Sequence, residues 1–317
     1  MDFSIQRGEY ITLKCTNFNN RGVTAEAVVS PQNGSNLLRF TVDGKNVIDY
    51  DEALLKKSDF TGTPVLFPTP NRVKNAAYTF EGNEIIQAIG GEKTILHGLV
   101  IFEPWTIEET TCTDKKAMLK TGIHITKGSR LYEAYPFECT LTLTFSLTCD
   151  GIHIDYTVKN DGTGNMPFGF ALHPYFTKLS GGKEKIKVPA NRYFITDENM
   201  IPTEETASVE GKNIDLRKPI PVNTLLLDHN YYDIKKGEPA EIQYTDGTTL
   251  TLKATEDFAH YVVYVPAGQD YFCIENQTCS IDAHNLHARG RLESSLLILP
   301  AKETHTGKVT YEYTLTY

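Results

Sequence analysis

Residues 139–158 read CTLTLTFSLTCDGIHIDYTV, and the fold follows from how this stretch is read. From Cys139 to Cys149 every second residue is apolar or a thiol (Cys139, Leu141, Leu143, Phe145, Leu147, Cys149), and mostly hydroxyl side chains fill the places between. Successive side chains of an extended chain point to opposite faces, so this is a strand with one face in a core. After Asp150-Gly151 the apolar face continues through Ile152, Ile154, Tyr156 and Val158. A two-residue turn at Asp150-Gly151 would pair Cys149 with Ile152, Leu147 with Ile154 and Phe145 with Tyr156, and both apolar faces would coincide.

The same test applies around Asp246-Gly247. Ile242 and Tyr244 must face the same way as Leu250 and Leu252, which a two-residue turn forbids. A three-residue connection, Asp246 to Thr248, restores the match and predicts a glycine-bearing bulge. Further strands are expected over residues 10–15, 24–29, 37–42, 185–188, 261–265, 271–275, 295–299 and 309–316. Helix signals are nearly absent, apart from one turn over residues 51–57 that is too short to organise a domain. No internal repeat or low-complexity linker marks a boundary. The expectation is one antiparallel all-β domain over residues 1–317, built as a large two-sheet β-sandwich.

Composition narrows the function. The 317 residues are 40% hydrophobic and 22% charged, and no apolar run approaches the length needed to span a bilayer. A formal net charge of -9 argues against a nucleic-acid partner, because phosphate binding needs a basic face. The start, MDFSIQRGEY, has no hydrophobic leader core, so a cytoplasmic location is expected. Cys15, Cys112, Cys139, Cys149, Cys273 and Cys279 form no CxxC pair and read as reduced thiols. The N-x-[ST] strings at Asn33 and Asn276 would matter only in a secreted chain.

Within this frame a few residues can carry chemistry. In MPFGFALHPYF, residues 166–176, His173 precedes a proline that pushes it toward an extended conformation, so the imidazole is expected at a strand end. Tyr175 and Phe176 could wall a cleft beside it, and a group that titrates near neutrality suits general acid or base work. Glu275 ends the apolar run YFCIE, where a buried carboxylate needs partners and could act as a base. In Pro68-Thr69-Pro70-Asn71-Arg72, two prolines hold an extended segment presenting an amide and a guanidinium, which suits sugar hydroxyls or a carboxylate. His97 precedes Gly98, which permits close approach of ligand or backbone, and Asp228-His229, between the apolar run 225–227 and Tyr231-Tyr232, is a further candidate, with a plain strand-end turn as its bland alternative. Gly162 and Gly164 open no helix and give no phosphate loop, and Asp282, His284 and His287 lack the helix and fourth ligand a metal site would need.

Taken together, these motifs resemble the aldose 1-epimerase (galactose mutarotase-like) family, whose large two-sheet β-sandwich binds a sugar in an open cleft. The Asn71-Arg72 pair, His97-Gly98, His173 with Pro174-Tyr175-Phe176, Asp228, and Glu275 with Gln277 resemble that family's segments in order and spacing across nearly the whole chain. Leu99 replaces a second glycine, and Ile281-Asp282-Ala283 stands where Pro-Asp-Ala is usual. The resemblance implies an isomerase interconverting the anomers of a free aldose, with Glu275 and His173 catalytic and Asn71, Arg72, His97 and Asp228 binding the sugar. Glu275 would take the C1 hydroxyl proton while protonated His173 serves the ring oxygen; the sugar opens, turns about C1–C2 and recloses without cofactor or metal. A monosaccharide is the implied partner, and a homodimer stays open. The alternatives are a hexose-6-phosphate 1-epimerase, for which Arg72 and Lys74 are a thin supply of cations, and a non-catalytic carbohydrate-binding protein on the same scaffold.

Overall fold

The alternating stretch forms two paired strands, Cys139–Leu147 and Gly151–Asn160, in a computed structural model that describes residues 2–315. Their register differs from expectation by two residues: Leu147 faces Ile152, Phe145 faces Ile154 and Leu143 faces Tyr156. The turn is Cys149-Asp150, with Thr148 N donating to Gly151 O at 3.0 Å. A shift of two leaves every side chain on its expected face, so the buried pattern survives the correction. Gly151 serves close approach and not the turn, since a Cβ there would lie 2.2 Å from Tyr311 O on the next strand. The second hairpin has the expected three-residue loop, one residue earlier at 245–247: Ile242 faces Leu250 and Tyr244 N donates to Thr248 O. Gly247, at φ +87°, supplies the left-handed residue of the bulge.

These hairpins lie in a nine-stranded sheet, which runs Thr106–Cys112, Ala117–Ile125, Cys139–Leu147, Gly151–Asn160, Thr304–Thr314, Thr249–Ala254, Ala240–Gln243, Lys185–Lys187, Ile220–Pro221. A thirteen-stranded sheet faces it, running Phe3–Arg7, Ile11–Phe18, Val23–Ser30, Asn36–Val42, Lys45–Ile48, Tyr175–Thr177, Tyr271–Gln277, His260–Val265, Leu227–Ile234, Ala190–Thr196, Pro202–Ser208. Ala171–Leu172 and Val65–Leu66 attach beside Tyr271–Gln277. Leu141, Leu143 and Phe145 of one sheet join Leu13, Phe40, Phe272 and Ile274 of the other in a single buried cluster. Each such side chain contributes roughly 1.5–3 kcal/mol on leaving water. The result is an all-β, two-sheet antiparallel sandwich.

Most expected strands are present with altered ends. The last runs Thr304–Thr314, and Thr316 lies outside the described residues. The helical turn is Glu52–Lys56, where Asp51 Oδ1 accepts from Ala53 N and Leu54 N. Two short helices, Arg130–Ala134 and Ala283–Ala288, had no strong sequence signal. The second corrects the reading of residues 282–287. Asp282 Oδ1 accepts from Lys74 N at 2.9 Å, His284 packs against Tyr78, and His287 is exposed, so the three side chains diverge. Among the described residues, no helix is long and apolar enough to cross a membrane, and no His, Cys, Asp or Glu cluster is arranged to hold a metal ion.

Candidate active site

Strand Tyr271–Gln277 organises the site because its alternation divides the side chains cleanly. Phe272 and Ile274 enter the core between the sheets, which places Cys273, Glu275 and Gln277 on the opposite face. Ala171 and Leu172 pair with Gln277 and Asn276, and Tyr175 and Phe176 pair with Cys273 and Phe272. The register is the same on both sides of Pro174, so His173 stands directly across from Glu275. A proline cannot donate to the ladder, and on the other side His173 N donates to Pro64 O at 3.1 Å, continuing the pairing of Ala171–Leu172 with Val65–Leu66. The imidazole and carboxylate are thus a cross-strand pair: His173 Nε2 lies 3.3 Å from Glu275 Oε1, and both residues are buried.

The next strands extend the same face. Tyr175, Cys273, Tyr264 and Asp228 form one row across four strands, with Asp228 second in Leu227–Ile234. It opens a strand and does not close one, so the bland alternative of a strand-end turn is not what the structure has. The remaining residues arrive on loops. Residues 68–72 are not extended throughout, since Asn71 takes φ +60°, and its carbonyl accepts from His97 N at 2.7 Å. Arg72 Nη1 donates to Asn71 Oδ1 at 2.9 Å, and Arg72 bridges to Leu96. His97 is itself left-handed, at φ +64°, and its ring meets His173 edge-to-face at 5.1 Å.

Gly98 explains this loop. At φ +78° it lies against the 67–68 backbone, and a Cβ would fall 2.3 Å from Phe67 O. Its close approach is to backbone, one of the two alternatives the sequence left. Gly98→Ala is expected to cost about 1–3 kcal/mol through left-handed strain and this clash, read as a lower denaturant midpoint at unchanged slope. A midpoint equal to wild type would contradict the account.

Burial sets the electrostatics. It pushes the Glu275 carboxyl well above the usual range; the Gln277 amide and Arg72 pull the other way, while Asp228 adds to the rise. Burial draws His173 down to about 4, and it draws His97 well below an ordinary imidazole, helped by His173 and Arg72. Asp228 is raised by burial, with Arg72 and His229 opposing. Both members of the central pair therefore favour the uncharged state, sharing one proton across 3.3 Å. Gln277 Nε2 holds Glu275 Oε2 at 3.0 Å, which leaves Oε1 to meet the histidine.

The structure brings His173, Glu275, Asn71, Arg72, His97 and Asp228 into one neighbourhood. It also separates the two expected cleft walls. Tyr175 stacks on His173, with ring centroids 4.9 Å apart and planes at 13°, whereas Phe176 is buried between the sheets against Phe272 and Tyr311. Alternation could have told them apart. Phe60, whose ring lies nearly perpendicular to His97 with centroids 4.9 Å apart, sits in a loop and carried no sequence signal.

Residues 19–312 match the family described as Aldose 1-epimerase. The chain is 28% identical over 194 residues to a galactose mutarotase of Homo sapiens, covering 57% of this chain and 54% of that protein. It is 28% identical over 172 residues to the uncharacterized protein YihR of Escherichia coli K12, covering 53% of each. It thus spans about half the length of the first of the curated relatives it matches. Among solved structures, a galactose mutarotase-like protein from Clostridium acetobutylicum superposes with a TM-score of 0.86 at 20% identity, covering 99% of this chain and 98% of that one. A galactose 1-epimerase from Lactobacillus acidophilus gives 0.76 at 18%, with coverages of 99% and 98%. These structures share the fold, and by its match over nearly its whole length the chain belongs to the aldose 1-epimerase family.

Proposed function

We propose that the protein interconverts the α and β anomers of a free aldose by proton transfer at one anomeric centre. The observation that carries this is the buried His173–Glu275 contact of 3.3 Å. Ring opening needs one proton removed from O1 and one supplied to O5, and reclosure reverses both, so a pair holding a single proton returns to its starting state. In the working tautomer the shared proton sits on His173. Glu275 Oε1 then takes the O1 proton while His173 protonates O5. Arg72, which draws Glu275 toward ionisation, and the sugar's own hydroxyls offset the charge separation. Arg72, Asn71, His97 and Asp228 orient the ring.

A neutral sugar fits better than a phosphorylated one. Lys74 shares a cavity of about 480 Å³ with Arg72, but Asp197 lines the same cavity and Asp228 faces Arg72 from within the site. A dianion would meet carboxylates as well as cations.

Polarimetry of freshly dissolved α-D-glucose or α-D-galactose tests the reading through its pH profile. Activity requires one proton on the pair. A second proton enters as pH falls through the His173 value, about 4, so the acid limb belongs there and not near 6.5. The alkaline limb lies where the raised Glu275 carboxyl loses the shared proton, above the ordinary carboxylate range. A rate that halves near 6.5 on the acid side, or no dependence at all, would reject this assignment.

A further inference from the structure

The loop that carries Arg72 is fastened from two directions. On one side its partners ride on another loop: His97 N donates to Asn71 O at 2.7 Å and Val73 N to Ile95 O at 3.3 Å. On the other side stands Asp282, whose N–H donates to Arg72 O at 2.9 Å and whose Oδ1 accepts from Lys74 N at 2.9 Å. One residue thus grips the backbone on both sides of Val73.

Asp282 is itself anchored to the large sheet. It lies on the chain that leaves strand Tyr271–Gln277, where Thr278 N donates to Phe170 O at 2.9 Å and Ile281 N to Asn230 Oδ1 at 3.3 Å, within strand Leu227–Ile234. Its side chain is 1% exposed, and a carboxyl is costly to bury unless its oxygens are engaged. Asn285 Nδ2 donates to Oδ1 at 2.7 Å, and Arg289 Nη2 faces Oδ2 at 3.7 Å. The backbone at Asp282 is left-handed, at φ +55°, which aspartate and asparagine accept better than most side chains. These contacts set a loop-borne guanidinium against the sheet that carries Glu275 and Asp228, the two carboxyls whose rise Arg72 opposes. A misplacement of about 1 Å in such a group can cost on the order of 10²-fold. Resting on the reading of Arg72 as a sugar-holding residue given above, we propose that Asp282 is a positioning residue, whose carboxyl sets Arg72 in place for the sugar and acts only through it.

The test removes the clamp from either end. Asp282→Gly deletes the carboxyl and accepts the left-handed backbone, whereas Asp282→Asn keeps an oxygen for Lys74 N. Asp282→Gly should raise KM for glucose or galactose about five- to fiftyfold with kcat changed less, and Asp282→Asn should stay within about threefold of wild type. Because Asp282 acts through Arg72, adding Asp282→Gly to Arg72→Ala should leave KM where Arg72→Ala alone puts it. An unchanged KM in Asp282→Gly, an equal loss in Asp282→Asn, or losses that multiply in the double variant would overturn the proposal. Should Asp282→Gly fail to fold, Lys74→Pro removes the donor instead. Val73, at φ -122° and ψ 121°, already has the extended backbone that a following proline requires. Its KM should exceed that of Lys74→Ala by about fivefold, and equal values would overturn the clamp. The Arg72 Nε–H resonance, assigned by its loss in Arg72→Ala, should shift or broaden in Asp282→Gly with no sugar present. If wild type mutarotates no sugar, the reading of His173 and Glu275 fails and this resonance decides the role of Asp282 separately: a change upholds it, an unmoved signal overturns it.

Discussion

Replacing Glu275 by Gln is expected to lower kcat for mutarotation by about 10²–10⁴-fold, the usual range for a positioned acid or base. The amide keeps the side chain's shape and can still accept from Gln277 Nε2, now at 3.0 Å from the carboxyl. It cannot carry the shared proton. Stability should move the opposite way. The Glu275 carboxyl is raised in the folded state, so the unfolded chain releases its proton first, and wild type loses stability as pH climbs from the ordinary carboxylate value toward the folded one. Gln has no such loss, so the variant's melting temperature should meet or exceed wild type, with an advantage that grows with pH. Polarimetry with a thermal scan at several pH values checks both halves. Near wild-type turnover would reject the catalytic role, and a large drop in melting temperature would reject the account of burial.

His173→Asn carries the second large effect, a kcat lower by about 10²–10⁴-fold with KM little changed, because the residues proposed to hold the sugar are untouched. Here stability should fall by about 1–3 kcal/mol, since the smaller side chain forfeits the stack on Tyr175 and the edge contact with His97. The two variants should not add. One proton serves both residues across 3.3 Å, so the double variant should be about as slow as either single one. Losses that multiply would mean that His173 and Glu275 act in separate steps.

Local pattern made the hairpins legible, because alternation fixes faces even where the turn is misplaced by a residue, as at Cys149-Asp150. It also made His173 and Glu275 visible as candidates. Their juxtaposition was not legible, because it depends on which distant strands pair, and nothing within residues 171–177 specifies 271–277 as the neighbour. Asn71 and His97 were readable as residue types but not as left-handed hinges, since only glycine announces that conformation strongly. The helix Ala283–Ala288 escaped notice for a related reason. This six-residue helix is stabilised by tertiary packing and not by its own propensity.

The His173–Glu275 pair owes its spacing to the backbone ladder of a thirteen-stranded sheet, whereas Asn71, Arg72 and His97 ride on connecting segments outside it. Apart from Asp228, which sits on the same sheet, the residues proposed to select the sugar are therefore carried on different parts of the polypeptide from the proposed proton-transfer pair. Insertions or rewritten loops can alter which carbohydrate is admitted without disturbing the two atoms that would move the proton, which gives such a scaffold room to serve many sugars with one unchanging reaction.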